Sequence, residues 1–422
     1  MTLCEAYNHT FMKIKNGLVL FFILTLPIVI TGCSDCEDLG NESIDRNFKN
    51  ESAFKSAKQE NPQNINLYVD ISASIQNYLD PSAGTSGGKL YENFIRSLFG
   101  AKQNATINLW GFGDSLIYLG DQNNAVASLL DRKTYSKSSS RINLAFDKIA
   151  ADTTNSLNVV LSDAIYEENK GVGNAFGFLI GPYFKKELDK NNMFALIAGR
   201  YSYYSTVLKK VFQTPLYLFV FGNQSYHSYV NNNLVPLGEN AFVLSPNYDT
   251  RASINISPNA DIIISSDNYK GVEVNDYSMP VQFDVKLERG LPNGKMLENA
   301  ENEKYKMNVY FTNFRCLNDM QTMDEWREVT DLKTDLATRY SQDSSRQILN
   351  FKFSRSFPQA EFASVYKFVI SKELPSWILE KYSSGTPEEM EKTYRFQDFF
   401  TTLQNHLKEK PVPLFTYYII VK

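Results

Sequence analysis

Two short apolar runs, each ending in an acid, constrain this sequence more than any other feature. Ile65-Asn66-Leu67-Tyr68-Val69 leads into Asp70, and Leu157-Asn158-Val159-Val160-Leu161 leads into Ser162-Asp163. Nearly continuous apolar runs of this length read as strands buried on both faces, the pattern of an α/β sheet with helices on either side. Thr106-Ile107-Asn108-Leu109-Trp110-Gly111-Phe112 reads as a further strand. So do Phe194-Ala195-Leu196-Ile197-Ala198 and Leu216-Tyr217-Leu218-Phe219-Val220-Phe221. Leu116-Ile117-Tyr118-Leu119 follows a tight Gly-Asp turn and is expected to pair antiparallel. Helical spacing appears at Leu90, Phe94, Ile95 and Leu98, and again at Ile142, Ala145, Phe146 and Ile149, where Ser138-Ser139-Ser140 is expected to cap the helix. Strands alternating with helices predict a doubly wound, mostly parallel sheet over residues 63–245.

In such sheets ligands gather at the C-terminal ends of the strands. Asp70 and Asp163 both sit there. After Asp70 come Ser72 and Ser74, and in extended backbone residues at i, i+2 and i+4 point the same way. One carboxylate and two hydroxyls make half of a hard-oxygen shell suited to Mg²⁺ or Mn²⁺. Gly111-Phe112-Gly113 and Gly171-Val172-Gly173 lack the glycine and lysine pattern of a phosphate loop.

Past residue 246 the period changes to two. Residues 279–287, 305–311, 347–353, 365–370 and 415–421 alternate or run apolar without long helices between them. That predicts an all-β, Ig-like sandwich over 246–422. A helical insertion from Pro387 to Leu407 carries Phe396, Phe399, Phe400 and Leu403. Tyr201-Ser202-Tyr203-Tyr204-Ser205 reads as a loop, leaving the α/β unit short of its last helix. Tyr201, Tyr203, Tyr204, Tyr226 and Tyr229 suit either a binding surface or core packing. His227 falls in a polar loop.

The N-terminus reads as a leader. Lys13 and Lys15 precede an apolar run from Gly17 to Ile30, too short and too broken by Pro27 for a permanent span. Residues 1–11 add nothing a signal needs, so Met12 is a candidate start. Ile30-Thr31-Gly32-Cys33 resembles the lipobox of bacterial lipoproteins. That resemblance implies a signal peptide over 1–32, a lipid on Cys33, and a location at the bacterial cell envelope, on the outer membrane or exposed beyond it. The acidic Asp35, Glu37 and Asp38 resemble a surface-export signal. Residues 33–62 are polar and read as a tether with a short helix near Glu51–Lys58. Cys36 and Cys316 are read as unpaired.

A net charge of −4 lacks the basic footprint of a nucleic-acid binder. Three histidines, one of them in the leader, leave little room for a His-rich zinc site or a His-dependent triad.

Three parts occur in order: Asp70-Ile71-Ser72-Ala73-Ser74, then Ser140 before a helix, then Asp163 after a strand. This resembles the von Willebrand factor type A fold and its metal-ion-dependent adhesion site. The resemblance covers roughly residues 63–225. It implies that Asp70, Ser72, Ser74, Ser140 and Asp163 surround one divalent cation, Mg²⁺ or Mn²⁺, with Phe112 packed beneath. Three departures stand out: Ser140 replaces Thr, Ala164 follows Asp163 where Gly is usual, and the last helix is missing.

Two carboxylates and three hydroxyls leave the cation an open or water-filled position, which an acidic residue of a protein partner can fill. Arg141 stands beside that position. The expected role is metal-dependent protein binding by a membrane-tethered lipoprotein, without catalysis and without nucleic acid. The alternatives are a hydrolase using the same cation, with Glu167 and Glu168 as its nearest acid/base candidates, and a structural part of an envelope assembly with a degenerate site.

Overall fold

The computed structural model describes residues 58–83, 87–101, 104–165, 176–190, 192–245, 250–266, 269–290, 305–314, 326–330, 335–340, 346–357, 363–386, 389, 391–409 and 413–421. Cys33, Cys36, Cys316, Glu167, Glu168, Gly171-Val172-Gly173 and nearly all of the expected 51–58 helix lie outside the described residues. No helix among the described residues is long and apolar enough to cross a membrane.

The α/β unit opens with β1 (Asn64–Asp70), α1 (Gly87–Gly100), β2 (Thr106–Phe112) and β3 (Leu116–Asp121). It continues through α2 (Gln122–Leu130), α3 (Asn143–Ala151), β4 (Leu157–Ser162) and α4 (Phe176–Asp189). It closes with β5 (Met193–Ser205), β6 (Lys210–Gly222) and β7 (Asn240–Leu244). The sheet order is β3-β2-β1-β4-β6-β5-β7. β1 pairs in parallel with β2 and β4, and β3 is antiparallel to β2 as its tight turn requires. The other half departs from parallel pairing. β6 lies between β4 and β5, antiparallel to both, and β7 is antiparallel to β5. Four strands, β1, β2, β4 and β5, therefore run one way in a mixed sheet. Tyr201–Ser205 is no loop: β5 carries straight through it and pairs with β6 out to Ser205 opposite Lys210.

Alternation along β1 divides its side chains between two cores. Ile65, Leu67 and Val69 join Phe94, Ile95 and Leu98 of α1 and Leu129 of α2. Tyr68 faces the other way and joins Phe112, Phe146 of α3 and Phe184 of α4. For four of the five tyrosines the structure favours packing. Tyr226 and Tyr229 are buried, and Tyr201 and Tyr203 pack against the first core. His227 is buried within helical turns over 224–237 rather than placed in a polar loop.

Ten strands follow as two sheets. β8 (Thr250–Ile256), β9 (Ala260–Ser265), β10 (Tyr269–Val274), β11 (Val281–Gly290), β12 (Tyr305–Phe314), β13 (Arg327–Glu328), β14 (Asp335–Tyr340), β15 (Arg346–Arg355) and β16 (Ala363–Lys372) precede a helical stretch. That stretch holds α5 (Trp377–Tyr382), the two-residue pair β17 (Ser383–Ser384) and β18 (Thr393–Tyr394), and α6 (Phe396–Glu409), after which β19 (Pro413–Val421) returns. The orders are β13-β12-β16-β19-β10-β9 and β14-β15-β11-β8. Phe351 and Phe353 of β15 meet Phe368 of β16 across the gap, with ring centroids 5.1 and 5.2 Å apart.

The insertion between β16 and β19 packs on the α/β unit. Phe396, Phe399, Phe400 and Leu403, at helical i, i+3, i+4, i+7 spacing, form one buried face of α6. They join the second core with Tyr68, Phe112 and Phe184. Phe399 meets Phe184 at 5.2 Å, and Phe396 stacks on Tyr217 of β6 at 4.6 Å. Burying four such side chains contributes roughly 6–12 kcal/mol before ordering costs. The sheet face that lacked a helix in local sequence is covered by one from almost two hundred residues downstream.

Candidate metal site

β1 alternates Asn66, Tyr68 and Asp70 onto the second face and ends there, which places the Asp70 carboxylate at the strand's tip. Asp70 is wholly buried. Its Oδ1 accepts the Ser72 N–H at 2.8 Å, which turns the chain immediately after the strand. Its Oδ2 accepts the Ser140 hydroxyl at 2.5 Å and the Ser162 hydroxyl at 3.2 Å. Extended geometry lasts only to Ser72. Ser74 is already helical at φ −61° and ψ −42°, at the start of a short 3-10 turn over Ile75–Leu79. Its hydroxyl makes no capping bond; it lies 2.9 Å from the Ser72 hydroxyl and donates to Asp163 Oδ2 at 3.4 Å.

The loop carrying Ser140 is pinned to two strand ends. Lys137 N–H donates to Ile71 C=O and Lys137 C=O accepts from Ala73 N–H, a short parallel bridge beside Ser72. Gly113 lets the loop lie this close: a Cβ there would stand 2.5 Å from Lys137 Cβ and 3.3 Å from the Ser139 carbonyl. Asp114 accepts the hydroxyls of Ser138 and Ser139 at 3.0 and 2.6 Å. The Ser139 hydroxyl, foremost, holds the Asp114 carboxyl below its usual range. Ser140 therefore does not cap α3. That helix begins at Asn143, its N-cap is Ile142, and no side chain caps it.

Asp163 follows β4, and its Oδ1 accepts the Ile165 N–H at 3.0 Å. Ala164 between them has φ +60°, the left-handed region that favours glycine. The backbone thus adopts the shape a Gly would give, with an Ala held in it. Ser162 braces the turn, accepting the Ala164 N–H at 3.0 Å while donating to Asp70. From the distant insertion, Thr393 donates its hydroxyl to the Asp163 carbonyl at 3.2 Å and lies 2.9 Å from the Tyr217 hydroxyl.

All five residues picked from sequence therefore meet in one hydrogen-bonded cluster. The sequence reading missed three. Ser162 alternates with Val160 onto the Asp70 face, so one hydroxyl in an apolar strand was its available signal. Asp114 had a weak signal in its position just past β2. Thr393 had none.

Burial pushes the Asp70 carboxyl up to about 6, against the lowering effect of its hydroxyl and N–H donors. No cationic side chain figures among those influences. A buried carboxylate held only by neutral donors is costly, and a cation beside it would offset that cost. The donors are all oxygen, two carboxylates and three hydroxyls, as Mg²⁺ or Mn²⁺ prefer. The residues fit such an ion. Among the described residues no group of three or more His, Cys, Asp or Glu side chains gathers to hold a metal, so a site here depends on hydroxyls for most of its donors. Searches found that no protein-family model and no curated protein matches this sequence.

Proposed function

We propose that this protein is a lipid-anchored envelope protein that binds a protein partner through a divalent cation held by Asp70, Ser72, Ser74, Ser140 and Asp163. The observation that carries this reading is the convergence of two carboxylates and three hydroxyls from three separated segments at the C-terminal ends of β1 and β4. The α/β unit is read as von Willebrand factor type A-like, supported by the β3-β2-β1-β4 order with an antiparallel edge. β6 then stands as an addition between β4 and β5. The ten-strand unit is read as an Ig-like sandwich.

When bound, the cation supplies a Lewis-acidic position for an acidic side chain of the partner. The chain's own residues do the rest. Asp70 and Asp163 provide the negative charge, the three serine hydroxyls add oxygen without charge, and the Thr393 and Ser162 bonds keep the Asp163 turn in register. Cys33 carries the lipid, by resemblance to the lipobox, and 33–62 form the tether.

Calorimetric titration with Mg²⁺ and Mn²⁺ tests the metal. Wild type is expected to bind and Asp70→Ala to bind neither. Absence of binding by wild type refutes the reading. Lipid on Cys33 is tested by mass spectrometry of the N-terminal peptide of the mature protein.

A further inference from the structure

We propose that the β5–β6 arm and the rim of the oxygen cluster form one docking surface for a protein segment that presents carboxylates beside aliphatic side chains. The cluster's share rests on the metal reading above; the arm's share does not. Register locates the arm. Ser162 of β4 lies level with Tyr217 of β6, and Tyr217 lies level with Ala198 of β5. β5 runs on to Ser205, seven residues past that level, which is roughly 23 Å at about 3.3 Å per residue. β5 runs in the same direction as β1 and β4, so the arm overhangs the end of the sheet where Asp70 and Asp163 sit.

The arm is tied to the site. The Asn77 side-chain amide donates to the Tyr203 hydroxyl at 2.9 Å, and Tyr78 meets Tyr203 edge-on at 5.3 Å. Asn77 and Tyr78 belong to the turn that starts at Ser74. Its tip, in contrast, is bare and apolar. Val207 is 86% exposed, Leu208 58% and Val211 37%. Ile165, two residues past Asp163, is 37% exposed on the same end. Among the described residues these are four of seven large hydrophobic side chains left exposed, so exposed apolar surface is concentrated at this end. Such concentration on an otherwise polar surface marks an interaction site.

Charge selects the partner. Lys209 and Lys210 follow the apolar tip. Lys137 and Arg141 flank Ser140, and the Arg141 Nε is buried without a hydrogen-bond partner. The acids at this end are already engaged: Asp114 accepts from Ser138 and Ser139, Asp131 accepts the Lys133 N–H, and Glu239 pairs with Arg200. A partner carrying carboxylates beside aliphatic residues complements both features. The chain enters β1 at Asn64, at the opposite end of the sheet, so this surface faces away from the point where the described residues begin. That favours a protein over the chain's own membrane.

The test probes the full-length chain with an array of synthetic decapeptides in which Asp or Glu alternates with Val, Leu or Ile. Matched peptides carry Lys for each acid or Ser for each aliphatic residue. In Mg²⁺ the wild type is expected to bind the acidic aliphatic peptides over both controls. The double variant Val207→Ser, Leu208→Ser should bind them about tenfold more weakly, with its Mg²⁺ titration and unfolding midpoint unchanged. Lys209→Glu with Lys210→Glu should lose at least as much.

If the tip variants bind as wild type while chelator abolishes binding, the arm proposal is overturned and the metal reading stands. If the tip variants lose binding while chelator changes nothing, the arm stands and the metal reading fails. Two results overturn the acidic-segment assignment: tip-dependent sedimentation with 3:1 phosphatidylcholine:phosphatidylglycerol vesicles, or tip-dependent dimers in sedimentation velocity, in either case without peptide binding.

Discussion

Replacing Asp70 by Asn removes a charge while keeping shape, and the structure sets the sign of the outcome. Asp70 is wholly buried, and burial raises its carboxyl from 3.8 to about 6 in the metal-free protein. The folded state thus holds the proton more tightly than the unfolded state does. This contribution favours folding below about pH 4, declines as pH rises through about 6, and is a full penalty at pH 7. A rise of about two pKa units corresponds to roughly 3 kcal/mol at about 1.4 kcal/mol per unit. Asn carries no charge to desolvate, and the Ser140 and Ser162 hydroxyls can rotate to accept from its amide.

In EDTA at pH 7, Asp70→Asn should therefore be more stable than wild type by about 1–3 kcal/mol, and the gap should close by about pH 4. Magnesium should reverse the order. At about one hundred times its Kd it stabilises wild type by about 2.7 kcal/mol and should leave the variant unmoved. Thermal unfolding across pH 4–7, with Mg²⁺ and with EDTA, reads all of this. A variant less stable than wild type in EDTA at pH 7 would refute the reasoning, because the carboxylate would then be a structural acceptor and not a group awaiting a cation.

Ser140→Ala removes one oxygen and the 2.5 Å bond to Asp70, and should weaken Mg²⁺ affinity about tenfold or more by calorimetry, whereas Ser140→Thr keeps the hydroxyl and should bind. Thr393→Val deletes the bond to the Asp163 carbonyl and should cost about 1–3 kcal/mol, with faster amide exchange over 161–165. Gly113→Ala drives a Cβ into Lys137 and should cost about 1–3 kcal/mol while displacing the Ser140 loop, read as lowered Mg²⁺ affinity in calorimetry. Phe399→Ala empties a buried position between α6, Phe184 and Phe219, and should cost about 3–5 kcal/mol in denaturant unfolding.

Much of this architecture was legible locally. The apolar runs of β1 and β4 bury nearly every side chain on both faces, so their composition alone marks them as central strands, and β2 alternates buried and half-buried residues beside them. The acids that end β1 and β4 are marked by position, because a charge is tolerated only where a buried strand reaches its end. The period-two runs of β11, β12, β15, β16 and β19 were equally plain. Periodicity records which face is buried but not what buries it, and here the reading stopped. Tyr201–Ser205 looked like a loop because its hydroxyls are many; pairing with β6 supplies the hydrogen bonds that make it a strand. β6 lies between β4 and β5 because a hairpin can insert at that position, and nothing local encodes which neighbour it takes.

The sequence by itself supplied the candidate residues Asp70, Ser72, Ser74, Ser140 and Asp163, in an order that resembles a metal-ion-dependent adhesion site. It also marked the amphipathic face of α6 at Phe396, Phe399, Phe400 and Leu403. Only the tertiary structure decided what those residues do together. It brought Thr393 to the carbonyl of Asp163, 230 residues away in sequence. It laid α6 on the α/β sheet instead of the sandwich it interrupts, and it aimed the β5–β6 arm past the same sheet end as the site. The physical reason is common to all three. Hydrophobic burial is non-directional, so a face that must be covered specifies its own apolarity and not its partner. Shape and chain connectivity supply that choice.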